Sequence, residues 1–508
     1  MVWWCPTKNS VTIDRVHAAV AGAKWSALAV AATTALQLLS LAIMARLLEP
    51  ADFGLVAMAG VALRLFGYLS QLGMGAAVIQ HPSLSQDQIR RALGWTVLLC
   101  LLTTGLAASA ADVVAVFFGA PTLSPVVRVL AVNLLLQGLA IIPLALLRRR
   151  LQFKSLAVVE LGSYAAYVAV AVAVAWMGGG VWSLVAAILV QSLLQLLLTT
   201  WLAQLPLVPT LGGGVRELWG YGLRHSLGGF VEFLTANVDA AVIGRGLGES
   251  AMGIYGRSTL LVFLPLEKMS SVVAKVVFPL LSQVQQHRSQ IGSALLLGIS
   301  FIGIGSSVFC FTVAAVAPEL VLVLLGPGWH EAAGVISVLA LGGTPTFMTV
   351  LAGVVCDALA LLRDKLRLQL MGLVLLAVCC MLFYRHGLIG IAWAVVVTQA
   401  VVHLVYMAYL APLLGCRRGD VARVYGSVIL TAVTAYLSTS GLLLPLRAWS
   451  MPSLLCLGVA SLGALFALSL GLHVWFKLMR DTSPELLAAS RIPKWCIWRG
   501  RLLGERWR

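Results

Sequence analysis

Charged residues are scarce in this chain, and acidic residues are the scarcest of them. Of its 508 residues, 11% are charged and only 19 are Asp or Glu. Soluble domains contain about 25% charged residues, so the composition excludes an ordinary soluble globular protein. Hydrophobic residues make up 60% of the chain, and the mean hydropathy is +0.97. These values are typical of a polytopic membrane protein.

Several motifs that carry chemistry are also missing. The nine cysteines and eight histidines are scattered without CxxC or Cys/His metal spacing, so we expect no metal site. No GxxxxGK[ST] motif occurs, so we do not expect ATP-driven transport by this chain alone. We also expect no cofactor. The first residues lack the basic start, apolar stretch and cleavage site of a secretory signal. The first hydrophobic segment is therefore expected to stay in the mature protein.

Hydrophobic runs long enough to cross a bilayer recur along the chain. A transmembrane helix needs about 20 apolar residues, and this length predicts an all-α fold of about fourteen spans. The predicted spans are 24–46, 53–75, 93–118, 124–147, 156–177, 181–203, 219–243, 253–280, 292–316, 331–358, 366–385, 387–413, 420–440 and 451–478.

Positive charge is abundant and unevenly placed. The 35 Lys and Arg residues give a net charge of +16, which could indicate nucleic-acid binding. They cluster instead in alternate loops, at 148–154, 363–367 and 416–423, and in the tail 491–508. Under the positive-inside rule, this distribution predicts that both termini are cytoplasmic. We therefore expect contact with anionic membrane lipids and no nucleic-acid partner.

A stretch near the start of the chain recurs in weakened form near its middle. The segment "ARLLEPADFGLV" at 45–56 is echoed by "GRGLGESAMGIY" at 244–255. These segments contain the loops 47–52 and 246–252, which are both predicted to be outside. Further echoes follow in the same order, "FFGAP" with "LLGPG", "RVLAVNL" with "SVLALGG" and "LLRRRLQ" with "LLRDKLR". Identical residues align in pairs: Arg46 with Arg245, Leu48 with Leu247, Gly54 with Gly253, and Trp182 with Trp393.

The repeat predicts how the chain is organised. Six spans fall in a first bundle at 1–210 and six in a second bundle at 211–415. Because six is an even number, the bundles insert in the same orientation, and such parallel repeats place a substrate path between them. Residues 416–508 are expected to add two further transmembrane helices and a basic cytoplasmic tail.

The same motifs carry a family resemblance. The segments "ARLLEPADFG", "LGMGAAVIQ", "FFGAPTLSPVVRVLA", "NVDAAVIGRGLG", "VVFPLLSQVQ" and "APELVLVLLGPGW" resemble the bacterial polysaccharide flippase family. That family belongs to the multidrug/oligosaccharidyl-lipid/polysaccharide exporter superfamily. The resemblance covers about residues 20–415 and is strongest to the branch that exports exopolysaccharide, colanic-acid-like and teichuronic-acid-like units. The chain departs from the family at Ala240 and in its long basic tail.

The resemblance implies a fold and a function. The implied fold is two six-helix bundles that form a V around a central cavity and work by alternating access. The implied substrate is a lipid-linked oligosaccharide, moved from the inner to the outer leaflet of the bacterial cytoplasmic membrane. A polysaccharide polymerase and chain-length machinery are possible partners.

Span eight carries three cations on one helical face. Arg257, Lys268 and Lys275 are separated by eleven and seven residues, so they point within about 20° of one another and cover about 27 Å. Arg257 and Lys275 could instead be anchors that reach opposite membrane interfaces. Lys268 is too deep for that and indicates a water-filled cavity.

Arg64 lies in the middle of span two, where an arginine costs about 2.5–3.5 kcal/mol on insertion scales. Its helical face carries only small or polar residues, Ala57, Gly60, Gly67 and Gln71. Such a face either lines a cavity or packs against another helix. Arg64 is accordingly interpreted as a cavity residue or as half of a structural ion pair.

Span seven is the least apolar span, and its polar residues follow a helical stripe. The stripe comprises Arg224, Gly228, Glu232, Thr235 and Asp239, with a fainter counterpart in span one at Thr33, Gln37 and Ser40. Glu232 and Asp239 could couple transport to a cation, or they could be structural partners of Arg64 and Lys268.

These residues lead to a mechanistic hypothesis. A lipid-linked oligosaccharide carries a pyrophosphate, for which Arg supplies bidentate donors and Lys a point charge. The leading interpretation is a flippase driven by an ion gradient or by the membrane potential. The first alternative is a multidrug or small-metabolite exporter of the same superfamily. A membrane glycosyltransferase or polymerase ranks below it. The predicted outer loops are too short for the sizeable acidic loops that such enzymes use, so we expect no enzymatic activity.

Overall fold

A computed structural model describes residues 8–71, 74–80, 85–204, 209–210, 212, 233–283, 288–449 and 451–482. This part of the chain forms α-helices and two short 3-10 turns, Pro327–Trp329 and Tyr384–His386, without any β-strand. The helices are α1 (Lys8–Leu47), α2 (Pro50–Gln71), α3 (Met74–Gln80), α4 (Gln86–Ser109), α5 (Ala111–Phe118), α6 (Leu123–Arg149), α7 (Phe153–Trp176), α8 (Val181–Ala203), α9 (Val238–Gln283), α10 (Arg288–Ala315), α11 (Ala317–Leu324), α12 (Glu331–Ala358), α13 (Leu362–Phe383), α14 (Gly387–Leu413), α15 (Arg418–Ala448) and α16 (Ser453–Thr482).

Most of the long helices are apolar enough to cross a membrane. Among the described residues, 11 segments meet that condition by length and composition, and one of them, Leu362–Leu413, contains both α13 and α14. The span predicted at 253–280 lies within α9. Most of the span predicted at 219–243 falls outside the described residues. The prediction of an all-α polytopic membrane protein is confirmed.

Helix breaks recur at equivalent places in the two repeats. The span predicted at 93–118 is in fact two helices, since α4 ends at Ser109 and the short α5 begins at Ala111. The second repeat has the same arrangement in α10 and the short α11. Each short helix is followed by a glycine with positive φ, Gly119 at 68° and Gly326 at 95°. Glycine adopts this conformation without the steric penalty of a side chain.

Helix α9 bends sharply inside the predicted loop 246–252. Gly248 has φ 87° and ψ −176°, which interrupts the helical geometry and divides α9 into two segments. A residue with a Cβ would be strained in this conformation. The kink thus joins the end of predicted span seven to the start of predicted span eight.

The chain divides into two compact units. The first unit comprises Met1–Pro265, Leu320–Val335 and Gln369–Val395. In it, α6 packs against α2, α4 and α8, and α1 packs against α7. The buried cores of α3, α4 and α6 meet in a cluster around Leu93 and Ile142.

The second unit comprises Leu266–Glu319, Ile336–Leu368 and Val396–Arg508. The two helices beyond the repeat, α15 and α16, pack against each other and against α10. Arg447 of α15 donates to both carboxylate oxygens of Glu319 at 2.6 and 2.9 Å, and to the carbonyl of Ala315 at 2.8 Å. The buried His403 bonds the Tyr425 hydroxyl at 2.7 Å and the Thr349 hydroxyl at 3.2 Å. Polar contacts therefore supplement the apolar packing of α15.

Candidate functional site

The first unit contains several predicted site residues, on α1, α2 and α9. Arg257 of α9 places its guanidinium over the ring of Phe53 of α2, 4.5 Å from the ring centroid. Its Nε atom is buried and has no hydrogen-bond partner in the described part of the chain. A cation held against an aromatic face is partly compensated by the ring quadrupole. Its guanidinium can still offer a hydrogen-bond donor to an anion.

Two tyrosines of α7 complete the surroundings of Arg257. Tyr164 and Tyr167 stack with their ring centroids 5.2 Å apart and an interplanar angle of 23°. Arg257 is close enough to both hydroxyl groups to interact with them electrostatically. Because tyrosine combines an apolar ring with a hydroxyl, the pair suits a ligand with both apolar and hydroxylated faces.

Only some of the polar side chains predicted on span one have hydrogen-bond partners in the described part of the protein. Thr33 is buried and donates to the carbonyl of Ala29 at 2.6 Å. Ser40 is also buried and shares a hydrogen bond with Tyr164. Gln37 is half-buried, and its Oε1 atom is buried without a partner among the described residues. The unsatisfied oxygen of Gln37 thus lies one helical turn from the contact with Tyr164.

Arg64 is exposed on α2 and folds back along its own helix. Its Nε atom donates to the carbonyl of Gly60 at 3.1 Å. A Cβ at Gly60 would lie 3.9 Å from the guanidinium, so the small residue leaves room for this conformation. Arg64 also interacts electrostatically with the carboxylate of Asp239.

Asp239 lies at the first turn of α9 and is bound on both carboxylate oxygens. Oδ2 accepts a hydrogen bond from the hydroxyl of Tyr255, and Oδ1 accepts one from the amide of Ala240 at 2.8 Å. The Asp239–Tyr255 contact crosses the kink at Gly248. Sequence reasoning does not predict this contact, because the two residues belong to different predicted spans and no motif marks the bend between them.

The remaining predicted residues belong to the second unit or lie outside the described part. Lys268 is half-buried on the second segment of α9 and belongs to the second unit. The side chains of Lys275 on α9 and Gln71 on α2 are outside the described residues, as are Arg224 and Glu232 entirely. Phe53 and Tyr167 were not predicted, since aromatic residues on apolar helices usually indicate core packing.

No metal centre is found in the part of the chain that the structure describes. These residues contain no group of three or more His, Cys, Asp or Glu side chains that could hold a metal ion. Several acidic residues near the basic segments form ion pairs instead. Asp357, for example, receives two hydrogen bonds from Lys365 at 2.7 and 2.8 Å.

A known family and several known proteins are similar to this chain. The sequence model of the family described as "Polysaccharide biosynthesis protein" matches residues 43–334. The succinoglycan biosynthesis transport protein of Rhizobium meliloti is 28% identical over 360 residues, which cover 69% of this chain and 71% of that protein. The teichuronic acid biosynthesis protein of Bacillus subtilis is 24% identical over 327 residues, covering 64% of this chain and 68% of that protein.

A solved structure shares the fold. The lipid II flippase in its inward closed conformation superposes with a TM-score of 0.67 over 91% of this chain and 99% of its own. At 10% sequence identity, this likeness concerns the fold alone.

Proposed function

Because the chain belongs to the polysaccharide biosynthesis protein family, we propose that it is a flippase for lipid-linked polysaccharide repeat units. The proposed movement is from the inner to the outer leaflet of the cytoplasmic membrane, by alternating access. The family match over residues 43–334 carries this proposal. Similarity to proteins named for succinoglycan transport and teichuronic acid biosynthesis supports a polysaccharide substrate.

The pyrophosphate of the substrate is proposed to bind at Arg257 and Arg64. Arg257 has an unsatisfied Nε–H donor beside an aromatic face, and arginine presents donors in a geometry that matches phosphate oxygens. Gln37 and Tyr164 are proposed to hydrogen-bond sugar hydroxyls. Further cavity residues on the same proposed path are Arg224, Lys268, Lys275 and Gln71.

Ion coupling is proposed for Asp239, with Glu232 as the second candidate. Asp239 already contacts Tyr255 and interacts with Arg64, so a change in its protonation or ion occupancy would alter the charge next to a proposed phosphate ligand. The membrane potential is an additional source of drive. Moving an anion out of a negative interior releases about 2.3 kcal/mol per charge per 100 mV.

We further propose the topology and the organisation given by the charge distribution and the repeat. Both termini are cytoplasmic, the bundles are 1–210 and 211–415, and 416–508 holds the additional helices and the basic tail. The chain itself has no enzymatic activity in this proposal. A polymerase and chain-length machinery act on the flipped units outside the membrane.

Reconstituted vesicles test the proposal directly. Proteoliposomes would contain a lipid-linked oligosaccharide, and a membrane-impermeant lectin outside would report the units that reach the outer leaflet. Wild-type protein is expected to accelerate their exposure over protein-free vesicles, and Arg257→Ala to remove most of that acceleration. Arg385→Ala, in an exposed turn, is the matched control. Equal exposure with and without protein would contradict the proposal, and efflux of cationic dyes instead would favour a drug exporter.

A further inference from the structure

The two repeats contact each other through pairs of equivalent residues. Arg46 donates to the carbonyl of Val323 at 2.8 Å. Arg245 donates to the carbonyl of Val116 at 2.9 Å and also to that of Phe117. Arg46 and Arg245 are equivalent in the repeat, and Val116 and Val323 each lie three residues before the glycine with positive φ that follows a short helix. The two arginines therefore make equivalent hydrogen bonds, each to the same position in the opposite repeat.

The acceptors have a particular chemistry. Val116 and Phe117 are in the last turn of α5, and Val323 is in the last turn of α11. The last carbonyls of a helix have no partner within it and carry the negative end of the helix dipole. Each arginine thus caps the carboxyl end of a short helix from the other repeat.

A second reciprocal contact brings the backbones together. A Cβ on Gly54 would lie 1.7 Å from the carbonyl oxygen of Glu249, and a Cβ on Gly253 would lie 1.8 Å from that of Pro50. Gly54 and Gly253 are equivalent in the repeat, as are Pro50 and Glu249. Only glycine permits such an approach, so α2 and the second segment of α9 cross in direct backbone contact about a local two-fold axis.

Aromatic residues add to the same contact. The indole of Trp329 donates to the carbonyl of Ala45 at 2.8 Å, and its ring meets Phe53 edge to face with centroids 5.4 Å apart. The Tyr384 hydroxyl donates to the carbonyl of Gly246 at 2.8 Å. All these residues belong to the first unit. We call the set formed by Arg46, Arg245, Gly54, Gly253 and their acceptors the cross-repeat contact.

We propose that the cross-repeat contact closes the exit of the transport path and that Arg46 and Arg245 are its gating residues. The inference rests on the proposed flippase function and topology, which place this end of the molecule outside. Alternating access requires the two repeats to separate here before a substrate can leave. Both arginines are exposed and bind neutral carbonyls, so water can replace the acceptors at small cost. A buried ion pair would oppose opening far more strongly.

Accessibility of a buried position beneath the contact tests the gate. Met58 lies one helical turn below Gly54 and is fully buried, so Met58→Cys would serve as the reporter in a variant without other cysteines. Labelling from outside by a membrane-impermeant maleimide would be measured with and without R46A/R245A. We expect labelling to increase about threefold or more, the shift that loss of an exposed hydrogen bond of modest net strength produces. R46K/R245K should give a smaller increase, because lysine still donates to a carbonyl.

Arg128→Ala is the matched control, since Arg128 is an exposed arginine in the first repeat. It bonds Asp112 at 2.6 Å within that repeat and makes no cross-repeat bond to a carbonyl in the described part of the chain. An equal increase in Arg128→Ala, or none in R46A/R245A, would overturn the proposal. If the double variant fails to reach the membrane, R46A and R245A alone carry the test and should give similar increases. Labelling does not depend on transport, so an increase without flipping would reject the substrate proposal and retain the gate.

Discussion

A charged side chain within an apolar helix bundle is stable when the residues around it replace water. Arg257 has an aromatic face at 4.5 Å and two nearby tyrosine hydroxyls, while Asp239 has Tyr255 and a backbone amide. Glu319 and Arg447 instead satisfy each other. The difference indicates which charges are structural and which retain bonding capacity for a ligand.

Conservative replacement of Arg257 separates charge from geometry. Arg257→Ala is expected to reduce flipping at least about tenfold, because a hydrogen bond to a charged group is worth about 1.5–3 kcal/mol. Arg257→Lys should recover part of the rate if charge alone matters, and little if the planar bidentate geometry is needed. Initial rates in proteoliposomes at equal protein content give the comparison. Equal rates in Arg257→Ala and wild type would remove this residue from the proposed site.

Neutralising Asp239 should disconnect flipping from the ion gradient. We expect Asp239→Asn to keep its acceptance of the Tyr255 hydroxyl and to bind substrate, while its flipping rate no longer responds to an imposed proton or sodium gradient. The membrane potential is set separately, so that its effect is not confused with that of the gradient. Asp112→Asn, which changes an exposed carboxylate, is the control. Flipping in Asp239→Asn that still follows the gradient would exclude Asp239 as the coupling residue.

At the scale of elements, glycine positions determine how closely helices approach. The crossing of α2 with the second segment of α9 has no room for a Cβ at Gly54 or Gly253, whereas Gly256, also in α9, has no atom within 4 Å of a built Cβ. Replacement of glycine by alanine should therefore lower stability at Gly54 and Gly253 but not at Gly256.

We expect Gly253→Ala to lower the thermal unfolding temperature of the detergent-solubilised protein, because the backbones must move apart. Gly256→Ala should leave it unchanged or raise it, since alanine is favoured over glycine in a helix by about 0.5–1 kcal/mol. The two substitutions are one turn apart in the same helix, which makes them a matched pair. Equal unfolding temperatures would show that the crossing contributes little to stability.

The attachment of α15 should depend on pH. Burial raises the pKa of the Glu319 carboxyl, but the hydrogen bonds and charge of Arg447 outweigh it and hold the pKa below its ordinary value of 4.5. A carboxyl whose pKa is lower in the folded state stabilises the protein above its unfolded pKa, and that stability is lost as the pH falls through the folded pKa. Thermal stability measured from pH 6 down to pH 3 should therefore decline below about pH 4.5.

Arg447→Met should flatten that decline and lower stability at neutral pH. Arg423→Met is the control, because it removes an exposed i,i+3 pair with Asp420 from the same helix, and such pairs contribute about 0–1 kcal/mol. A decline of equal size in Arg447→Met would assign the pH dependence to other carboxyl groups.

Much of this architecture could be predicted, and the exceptions have physical reasons. Hydropathy predicts the spans of the described residues, because contact with lipid favours apolar side chains along the whole length of a span. The break at Ala110 was not predicted, since alanine is a good helix former and nothing nearby interrupts the apolar run. The repeat identified Arg46 and Arg245 as equivalent, but their acceptors are backbone carbonyls, which leave no signature in the sequence. The Asp239–Tyr255 bond depends on the bend at Gly248.

The whole molecule departs from its internal symmetry at one informative place. Asp112 and Glu319 each lie seven residues before the positive-φ glycine of their repeat. In the first repeat, the hydrogen bond from Ser124 and the charge of Arg128 lower the pKa of the Asp112 carboxyl. The second repeat has Ser337 at the position equivalent to Arg128, and Glu319 is bound by Arg447 of α15 instead. The added helices thus occupy a contact that the repeat left unfilled.

Topology connects the proposed site, gate and substrate direction. We expect a cysteine at Ser250, beside the kink, to react with an impermeant maleimide from outside intact cells, and a cysteine at Gln152 to react only after permeabilisation. Ser250 and Gln152 are both exposed, so their reactivity reports side and not burial. Gly248, at the kink itself, is less suitable for this test, because a cysteine with its positive φ would be strained. Reaction of both cysteines from the same side would contradict the topology. Exclusive reaction of Ser250→Cys after permeabilisation would place the cross-repeat contact at the entrance, and the gating residues would then control substrate uptake.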